Sequence, residues 1–393
     1  MLYCQAVSRW AQALASLSKV GTPTWRVLTA ARAQGLLATN TPHWSKLRTK
    51  ASSKFGGQHP AKRRVMNHAD HRPTPQEPLG SGFGHDTGAA AIVEDADLSG
   101  CVAIVTGGYS GLGLETVRAL TEAGVQVNVP ARRPDPARGV LAAADLGGVE
   151  VFDMDLGAQD SVKGFARQYL ASGKRLDILF NNAAIMACPE TRVGPGWEAQ
   201  FATNHLGHFT LANELWPVLA DGGARVVSLS STGHKRSGIH FDDPQFTNGY
   251  DKWEAYGQAK TANSLFAVEL DARGADRGVR AFAVNPGGIM TGLQRHLTQE
   301  EMVAAGWMDD AGKLKEGFKT AEQGAATSVW AATSPMLDGR GGVYCEDCDI
   351  ARPTDPESEL ARVAGVDAHA VDPGMAGRLW ALSAELTGVN AFG

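Results

Sequence analysis

Long apolar runs and cysteines are scarce in this chain of 393 residues. No stretch approaches the roughly 18 consecutive apolar residues that a membrane-spanning helix requires, and the best candidates, such as residues 101–105, have the length of a strand. Five scattered cysteines are too few for a disulfide framework and are typical of a reducing compartment. The sequence therefore predicts a soluble, cytoplasmic protein without a transmembrane segment.

Acidic residues are absent from positions 1–64, which hold eleven of the 37 basic residues. The rest of the chain carries the other 26 basic residues and all 42 acidic ones, a net charge of −16. Because such a body repels phosphate backbones, nucleic acid is not an expected partner. The basic segment has three open interpretations: an organellar targeting segment, a disordered basic arm, or a start codon placed too far upstream of Met66.

From about residue 95, apolar strand-like runs alternate with segments whose apolar residues recur at helical spacing. This alternation predicts βαβ units and a doubly wound parallel sheet with helices on both faces, an α/β, Rossmann-like fold. We expect one domain at 95–350, a disordered extension and lead-in at 1–94, and a tail at 351–393 whose helix packs on the domain. The lead-in histidines, His68 and His71, are interpreted as solvated, and no metal is expected. The predicted strands are 101–105, 125–129, 149–154, 176–180, 225–229 and 280–284.

A glycine-rich turn follows the first predicted strand and opens a helix. Its sequence, T-G-G-Y-S-G-L-G at 106–113, lets backbone N–H groups approach a pyrophosphate, while the helix N-terminus adds partial positive charge. A strand before and a helix after make the pattern a strong indication of a dinucleotide site. The residues assigned to this contact are Gly107, Ser110, Gly111, Leu112 and Gly113.

The end of the second strand is where such folds bind the adenosine ribose. An acid there binds the free 2′-hydroxyl of NAD, whereas a cation accommodates the 2′-phosphate of NADP. Here Arg132 and Arg133 follow the strand, and no acid stands before Asp135. The sequence predicts NADP as the cofactor, bound through Arg132, with NAD possible and a solvated surface arginine as the alternative.

Tyr256 and Lys260 stand four residues apart on a predicted helix, so they share one face. A free tyrosine has a pKa near 10, and lowering it by roughly three units corresponds to about 4 kcal/mol. We expect a close lysine and a positive nicotinamide ring to supply this. Ser230 and Ser231 close the fifth predicted strand, with Ser231 at its loop end.

These motifs resemble the short-chain dehydrogenase/reductase family over roughly residues 95–350. The resemblance implies a catalytic set of Asn204, Ser231, Tyr256 and Lys260, in which Asn204 supports a water on the proton route to the lysine. It implies adenine contacts and nicotinamide-side contacts at further positions. These are Asp155 and Leu156 for adenine, Asn182 and Ala183 in N-N-A-A beside the nicotinamide ribose, and Pro286, Gly287, Ile289 and Thr291 near the carboxamide.

Two features resemble retinol dehydrogenases and WW-domain oxidoreductases in particular: the hexapeptide N-H-L-G-H-F at 204–209 and the 25-residue gap between Ser231 and Tyr256. The resemblance implies an NADP(H)-preferring enzyme that interconverts a carbonyl and an alcohol on a hydrophobic small molecule, as a homodimer or a monomer. Loops 232–253 and 288–318 are expected beside the substrate. The alternative is a catalytically silent NADP-binding scaffold or redox-sensing regulator on the same fold.

Overall fold

The computed structural model describes residues 74–393; the predictions for residues 1–64, His68 and His71 lie outside this part of the chain. Within it are ten strands, of which β5 and β6 form a small ribbon of their own. The strands are β1 (Val102–Val105), β2 (Gln126–Ala131), β3 (Glu150–Asp153), β4 (Ile178–Asn181), β5 (Arg192–Val193), β6 (Trp197–Glu198), β7 (Arg225–Leu229), β8 (Arg280–Asn285), β9 (Val343–Glu346) and β10 (Asp349–Ile350).

Helices connect and flank these strands. A π-helical turn, Ala202–Leu206, joins α5 to α6, and a 3₁₀ helix, Thr232–Arg236, follows β7. The α-helices of the described part are α1 (Ala89–Val93), α2 (Gly111–Glu122), α3 (Pro134–Ala143), α4 (Gln159–Ala171), α5 (Ala199–Phe201), α6 (Gly207–Glu214), α7 (Trp216–Leu219), α8 (Lys252–Gly274), α9 (Gln299–Ala304), α10 (Ala321–Thr333) and α11 (Pro373–Thr387).

The main sheet has the order β10-β9-β8-β7-β4-β1-β2-β3, and all its pairings are parallel except that of β10 with β9. Successive strand residues pack on opposite faces: Val105 and Phe180 lie in one buried cluster, and Ile104 and Leu179 in the other. Burial on both faces explains the continuous apolar runs of the strands. The doubly wound, Rossmann-like α/β prediction is confirmed.

The edge of the sheet binds residues that precede the first strand. The Gln76 side chain donates to Tyr344 O (2.6 Å) and Ala351 O (2.7 Å) and accepts from Tyr344 N (3.0 Å). The Asp349 carboxylate accepts backbone N–H groups from Leu79, Gly80 and Ser81. The boundary at residue 95 stays a prediction, but residues on both sides of it pack on the same sheet.

The tail also packs on the domain. Trp380 of α11 stacks on Phe266 of α8 at 6.0 Å and meets Phe209 of α6 edge-on at 4.8 Å between ring centroids. The Ser383 hydroxyl hydrogen-bonds to His205 Nε2 (2.7 Å). The chain's own C-terminal helix thus covers the outer face of α6 and α8. In the described residues, no helix is both long and apolar enough to cross a membrane.

Three fully buried histidines predict that the fold loses stability in mild acid. Burial lowers the pKa of His205 to about 3, and of His208 and His234 to about 4. In the unfolded chain the pKa of histidine is about 6.5, so the unfolded state binds more protons between these values. The free energy of unfolding should therefore be highest above pH 6.5 and fall as the pH drops. At pH 5 we expect it to be lower by about 2 kcal/mol per histidine.

Urea unfolding at pH 7, 6 and 5 measures this loss. Glu198 and Glu346 offset part of it, because burial raises their pKa and the folded state then holds their protons more tightly. A His205→Gln protein should show a shallower pH dependence than the wild type. A free energy of unfolding that stays constant from pH 7 to 5 would contradict the assignment of neutral buried imidazoles.

Candidate active site

The predicted site residues meet at the carboxyl end of the parallel strands. β1 and β4 are neighbours, and the strand order runs outward from them in both directions, which is the switch point where open α/β sheets bind ligands. The glycine turn leaves β1, the N-N-A-A segment leaves β4, and Ser231 and Pro286 follow β7 and β8. The nucleotide and chemical motifs therefore share one edge of the sheet.

The glycine turn presents an uncapped helix N-terminus. Gly107 and Gly111 adopt φ values of +66° and +51°, a conformation that glycine reaches without strain. Ser110 is the N-cap residue of α2, but its hydroxyl accepts no hydrogen bond from the first turn. The leading N–H groups of α2 thus lack a side-chain partner, and the helix dipole favours an anion beside them.

Gly113 and Asn182 join this turn to the end of β4. A Cβ on Gly113 would lie 2.3 Å from Gly107 O and 2.6 Å from Asn182 Nδ2, so only glycine fits. Asn182 Nδ2 donates to Thr106 O (2.7 Å), and the backbone N–H groups of Asn182 and Ala183 donate to Thr106 Oγ1 (2.9 and 3.0 Å). The Asn182 amide therefore shapes the turn.

The segment after β8 closes on the same turn from the other side. Thr291 Cγ2 lies 3.3 Å from the position of a Cβ on Gly111, and Gly287 has a φ of +88° directly after Pro286. Leu112 and the buried Ile289 both reach Gly324 of α10. The predicted pyrophosphate turn and the predicted nicotinamide-side turn are therefore in direct contact.

The predicted adenosine end lies at the ends of β2 and β3. Arg132 is exposed immediately after β2 and forms no hydrogen bond or ion pair with any residue of the described chain. Asp155 Oδ1 accepts from Gly157 N (2.9 Å), and Leu156 is buried against Gly207 of α6. Arg132, like its exposed neighbour Arg133, is thus free to bind an anion, while Asp155 and Leu156 are fixed in place.

Tyr256 and Lys260 are buried on one face of α8, with exposed fractions of 5% and 3%. Lys260 Nζ donates to Leu229 O (2.8 Å) and lies 5.6 Å from the centroid of the Tyr256 ring. The helix begins at Asp251, whose carboxylate accepts from Trp253 N and Glu254 N. The cap fixes the start of α8 one turn before the tyrosine.

The two serines after β7 have different surroundings. Ser231 Oγ accepts from Gly233 N (3.0 Å) and hydrogen-bonds to the Tyr256 hydroxyl. Ser230 is buried beneath the site, where its hydroxyl donates to Lys260 O (2.9 Å) and accepts from Ser264 (2.8 Å). The geometry favours Ser231 as the serine that faces the tyrosine, with Ser230 holding α8 against the sheet.

Asn204 occupies the π-helical turn. Its amide makes two hydrogen bonds to Ile185, with Nδ2 donating to Ile185 O and Oδ1 accepting from Ile185 N, both at 2.9 Å. His208 Nδ1 lies 2.9 Å from Asn204 O, and a carbonyl can only accept, so the imidazole donates. The Asn204 side chain thus holds the loop after β4. Short π-helical turns like Ala202–Leu206 are frequent at functional sites.

In the protein without cofactor, burial acts on the tyrosine pKa against the expected fall, which also depends on the charge of a bound nicotinamide ring. Burial raises the pKa of Tyr256 to about 12, and the hydrogen bond from Ser231 opposes this rise only in part. Burial lowers the pKa of Lys260 to about 7. The expected fall of the tyrosine pKa is therefore absent in the protein by itself, because desolvation disfavours the charged form of both groups.

Two residues of the site, Gly233 and Asn181, received no role from the sequence. A Cβ on Gly233 would lie 2.7 Å from Tyr256 Cε1, so this glycine gives the phenol ring its place beside Ser231. The Asn181 amide is buried at the end of β4, and neither its oxygen nor its nitrogen has a partner among the described residues. The only available signal was position: one residue lies two beyond the serine, and the other begins N-N-A-A.

A cluster of apolar side chains packs around the tyrosine ring. Met186 and Ala187 pack with Tyr256, and half-buried tryptophans and leucines complete the cluster. Trp253 lies 6.5 Å from Tyr256 and 5.9 Å from Trp307, both edge-on, between ring centroids. We call this set the apolar wall; its other members are Leu293, Leu297 and Trp307.

Known proteins match the chain over this whole region. The family model described as short chain dehydrogenase matches residues 101–302. A Streptomyces lividans protein named as an oxidoreductase is 48% identical over 297 residues, 74% of this chain and 98% of its own length. Retinol dehydrogenase 12 of Mus musculus is 34% identical over 303 residues, 75% of this chain and 89% of its own.

A solved structure agrees. An uncharacterised protein from Mycobacterium paratuberculosis superposes with a TM-score of 0.59 at 32% identity, covering 78% of this chain and all of that one. With the site geometry, these matches establish that the chain belongs to the short-chain dehydrogenase/reductase family and is an oxidoreductase of alcohol or carbonyl groups.

Proposed function

We propose that the protein is an NADP(H)-preferring enzyme that interconverts a carbonyl and an alcohol on a hydrophobic small molecule. The observation that carries this is the buried Tyr256, hydrogen-bonded to Ser231 and one helical turn from Lys260, at the edge where the glycine turn ends β1. A phenol, a hydroxyl and an ammonium group together can hold a carbonyl oxygen and exchange a proton with it.

The residues present fit a dinucleotide. The uncapped N-terminus of α2 suits a pyrophosphate, and the unpartnered buried amide of Asn181 is the kind of group that a ligand satisfies. When bound, the cofactor supplies or accepts the hydride at the carbon of the substrate. Ser110, Gly111 and Thr291 would lie along it, with Arg132 at its 2′-phosphate.

In the reductive direction, the Tyr256 hydroxyl gives its proton to the carbonyl oxygen, and in the oxidative direction it takes the proton back. Ser231 donates a hydrogen bond to the same oxygen and keeps it in line with the phenol. Lys260, whose lowered pKa lets it exchange protons near neutrality, replaces the proton on the tyrosine. Asn204 holds the loop after β4 through the two hydrogen bonds between its amide and Ile185.

The apolar wall indicates the substrate. Its tryptophans and leucines can cover an apolar molecule beside Tyr256. The name of one relative, retinol dehydrogenase 12, refers to a hydrophobic alcohol. We place the enzyme in the cytoplasm, since the five cysteines of the sequence are too few and too scattered for a disulfide framework. We expect a monomer rather than a homodimer through α6 and α8, because α11 covers that face.

Tyr256→Phe should lower kcat by about 100-fold or more, because the ring stays and the proton donor is lost. NADPH affinity, measured by fluorescence titration, should hardly change. Tyr169→Phe is the matched control, since it removes a phenol of α4 that lies outside the site and donates to Arg175 O. A Tyr256→Phe protein that turns over as fast as the wild type would contradict the mechanism. If the wild-type protein binds NADPH but reduces no aldehyde or ketone, the alternative function, a catalytically silent NADP-binding scaffold, is favoured.

Arg132→Asp should invert the cofactor preference. A charge-assisted pair between arginine and phosphate is worth about 1.5–3 kcal/mol, or about ten- to a hundredfold in affinity, and an aspartate repels the phosphate while binding the ribose diol. Arg133→Asp, one residue on and at the N-cap of α3, should have a smaller effect. Dissociation constants showing that the wild type prefers NADH, or that Arg132→Asp binds NADPH normally, would contradict the assignment.

Trp307→Ala should raise KM for bulky apolar aldehydes by about fivefold or more, since an aromatic contact is worth roughly 1 kcal/mol beyond its buried area. KM for a two- or three-carbon aldehyde should barely move. Trp216→Ala is the control, because Trp216 packs on Phe392 in a different cluster. Equal changes for large and small substrates would remove Trp307 from the substrate contact.

A further inference from the structure

His234 lies three residues after the catalytic serine and is completely buried. Its Nδ1 is 2.7 Å from Ser231 O, and its Nε2 is 3.1 Å from the backbone nitrogen of Asp367. The imidazole thus stands between the loop that carries Ser231 and the C-terminal tail.

Both partners of the imidazole have a fixed role. A carbonyl oxygen only accepts and an amide N–H only donates, so His234 is neutral, with the proton on Nδ1. Burial lowers the pKa of His234 to about 4, although the hydrogen bond to Ser231 and the charge of Asp367 act in the opposite direction. The lowered pKa keeps the ring neutral at physiological pH. The other titratable groups that face the ring are Lys235 beside it, His369 in the tail and Tyr344 of β9, whose hydroxyl is 3.2 Å from Nδ1.

The tail is itself anchored at this point. The Asp367 carboxylate accepts from Lys235 Nζ (3.0 Å) and from Thr354 Oγ1 (2.6 Å). His369 Nε2 lies 3.0 Å from His234 O, so that ring donates to the backbone of the same residue. The side chain and the carbonyl of His234 are therefore both held by residues 367–369.

We propose that His234 is a positioning residue for Ser231: it ties the serine carbonyl to the tail at Asp367 and so sets the angle at which the serine hydroxyl meets Tyr256. This inference rests on the proposed function of Ser231. The proposal implies that the tail helps to orient the Ser231 hydroxyl, although the tail lies outside residues 101–302, which the family model matches.

Two substitutions separate the two hydrogen bonds of the ring. His234→Asn keeps an N–H near the position of Nδ1 and loses the acceptor for Asp367, whereas His234→Gln keeps an acceptor near the position of Nε2 and loses the donor to Ser231. We expect His234→Gln to lower kcat roughly tenfold, with KM and the NADPH dissociation constant within about twofold, since small displacements of a reacting group are costly. His234→Asn, which loses only the bond to the tail, should lower kcat by about threefold, less than the Gln variant.

The same substitution in a Ser231→Ala background distinguishes positioning from general damage. If His234 acts through the serine hydroxyl, His234→Gln has no further effect on kcat once that hydroxyl is gone. A loss of similar size in both backgrounds, or equal losses for the Asn and Gln variants, overturns the proposal. Turnover that depends on Ser231 but not on His234 does the same, and leaves the proposed function intact.

A second pair tests the tail without altering the histidine. The φ of Asp367 is −74°, which proline adopts, so Asp367→Pro removes the N–H that His234 accepts, and Asp367→Ala removes only the carboxylate. We expect kcat of the Pro variant to fall about threefold or more below that of the Ala variant. Equal kcat values overturn the link to the tail. Wild-type protein without turnover, or turnover unaffected by Ser231→Ala, overturns the proposed function and the positioning role together.

Discussion

One buried hydroxyl holds the two halves of the site together. Thr106 follows β1, and its Oγ1 accepts from the N–H groups of Asn182 and Ala183 and lies 2.9 Å from His208 Nε2. Since His208 Nδ1 donates to Asn204 O, Nε2 of the neutral ring must accept, and the Thr106 proton points there. The hydroxyl therefore uses its donor and both acceptors, and it connects the glycine turn, the end of β4 and the helix of Asn204.

Two parts of the chain outside the central βαβ units, the lead-in and the C-terminal helix, pack on the elements that position the site. Gln76 and Asp349 hold the lead-in on the sheet edge formed by β9 and β10. Through Trp380 and Ser383, the helix α11 packs on α6, on His205 and on α8, which carries Tyr256 and Lys260. Because α8 is held by this helix on one side and by β7 and β8 on the other, Tyr256 and Lys260 have little freedom to separate.

Local spacing sufficed to predict the glycine turn, the Tyr256–Lys260 pair and six of the parallel strands, because each depends on neighbours within a few residues. The seventh parallel strand, β9, was missed: its four residues, V-Y-C-E, stop at a polar turn and offer too little periodicity. Gly233 against Tyr256, and Gln76 against Tyr344, join positions 23 and 268 residues apart, and no local pattern encodes such contacts. The raised tyrosine pKa was likewise beyond the sequence, since it follows from burial.

That pKa bears on the direction of the reaction. Bringing Tyr256 from about 12 to 7 requires about 7 kcal/mol, whereas a full charge on Lys260, 5.6 Å from the ring centroid, supplies about 3 kcal/mol at an effective dielectric of 20. Lys260 carries only part of that charge near neutrality, because burial lowers its pKa to about 7. The phenol therefore keeps its proton in the protein by itself. Carbonyl reduction consumes that proton and alcohol oxidation returns it, so burial holds the phenol in the protonated form from which reduction starts.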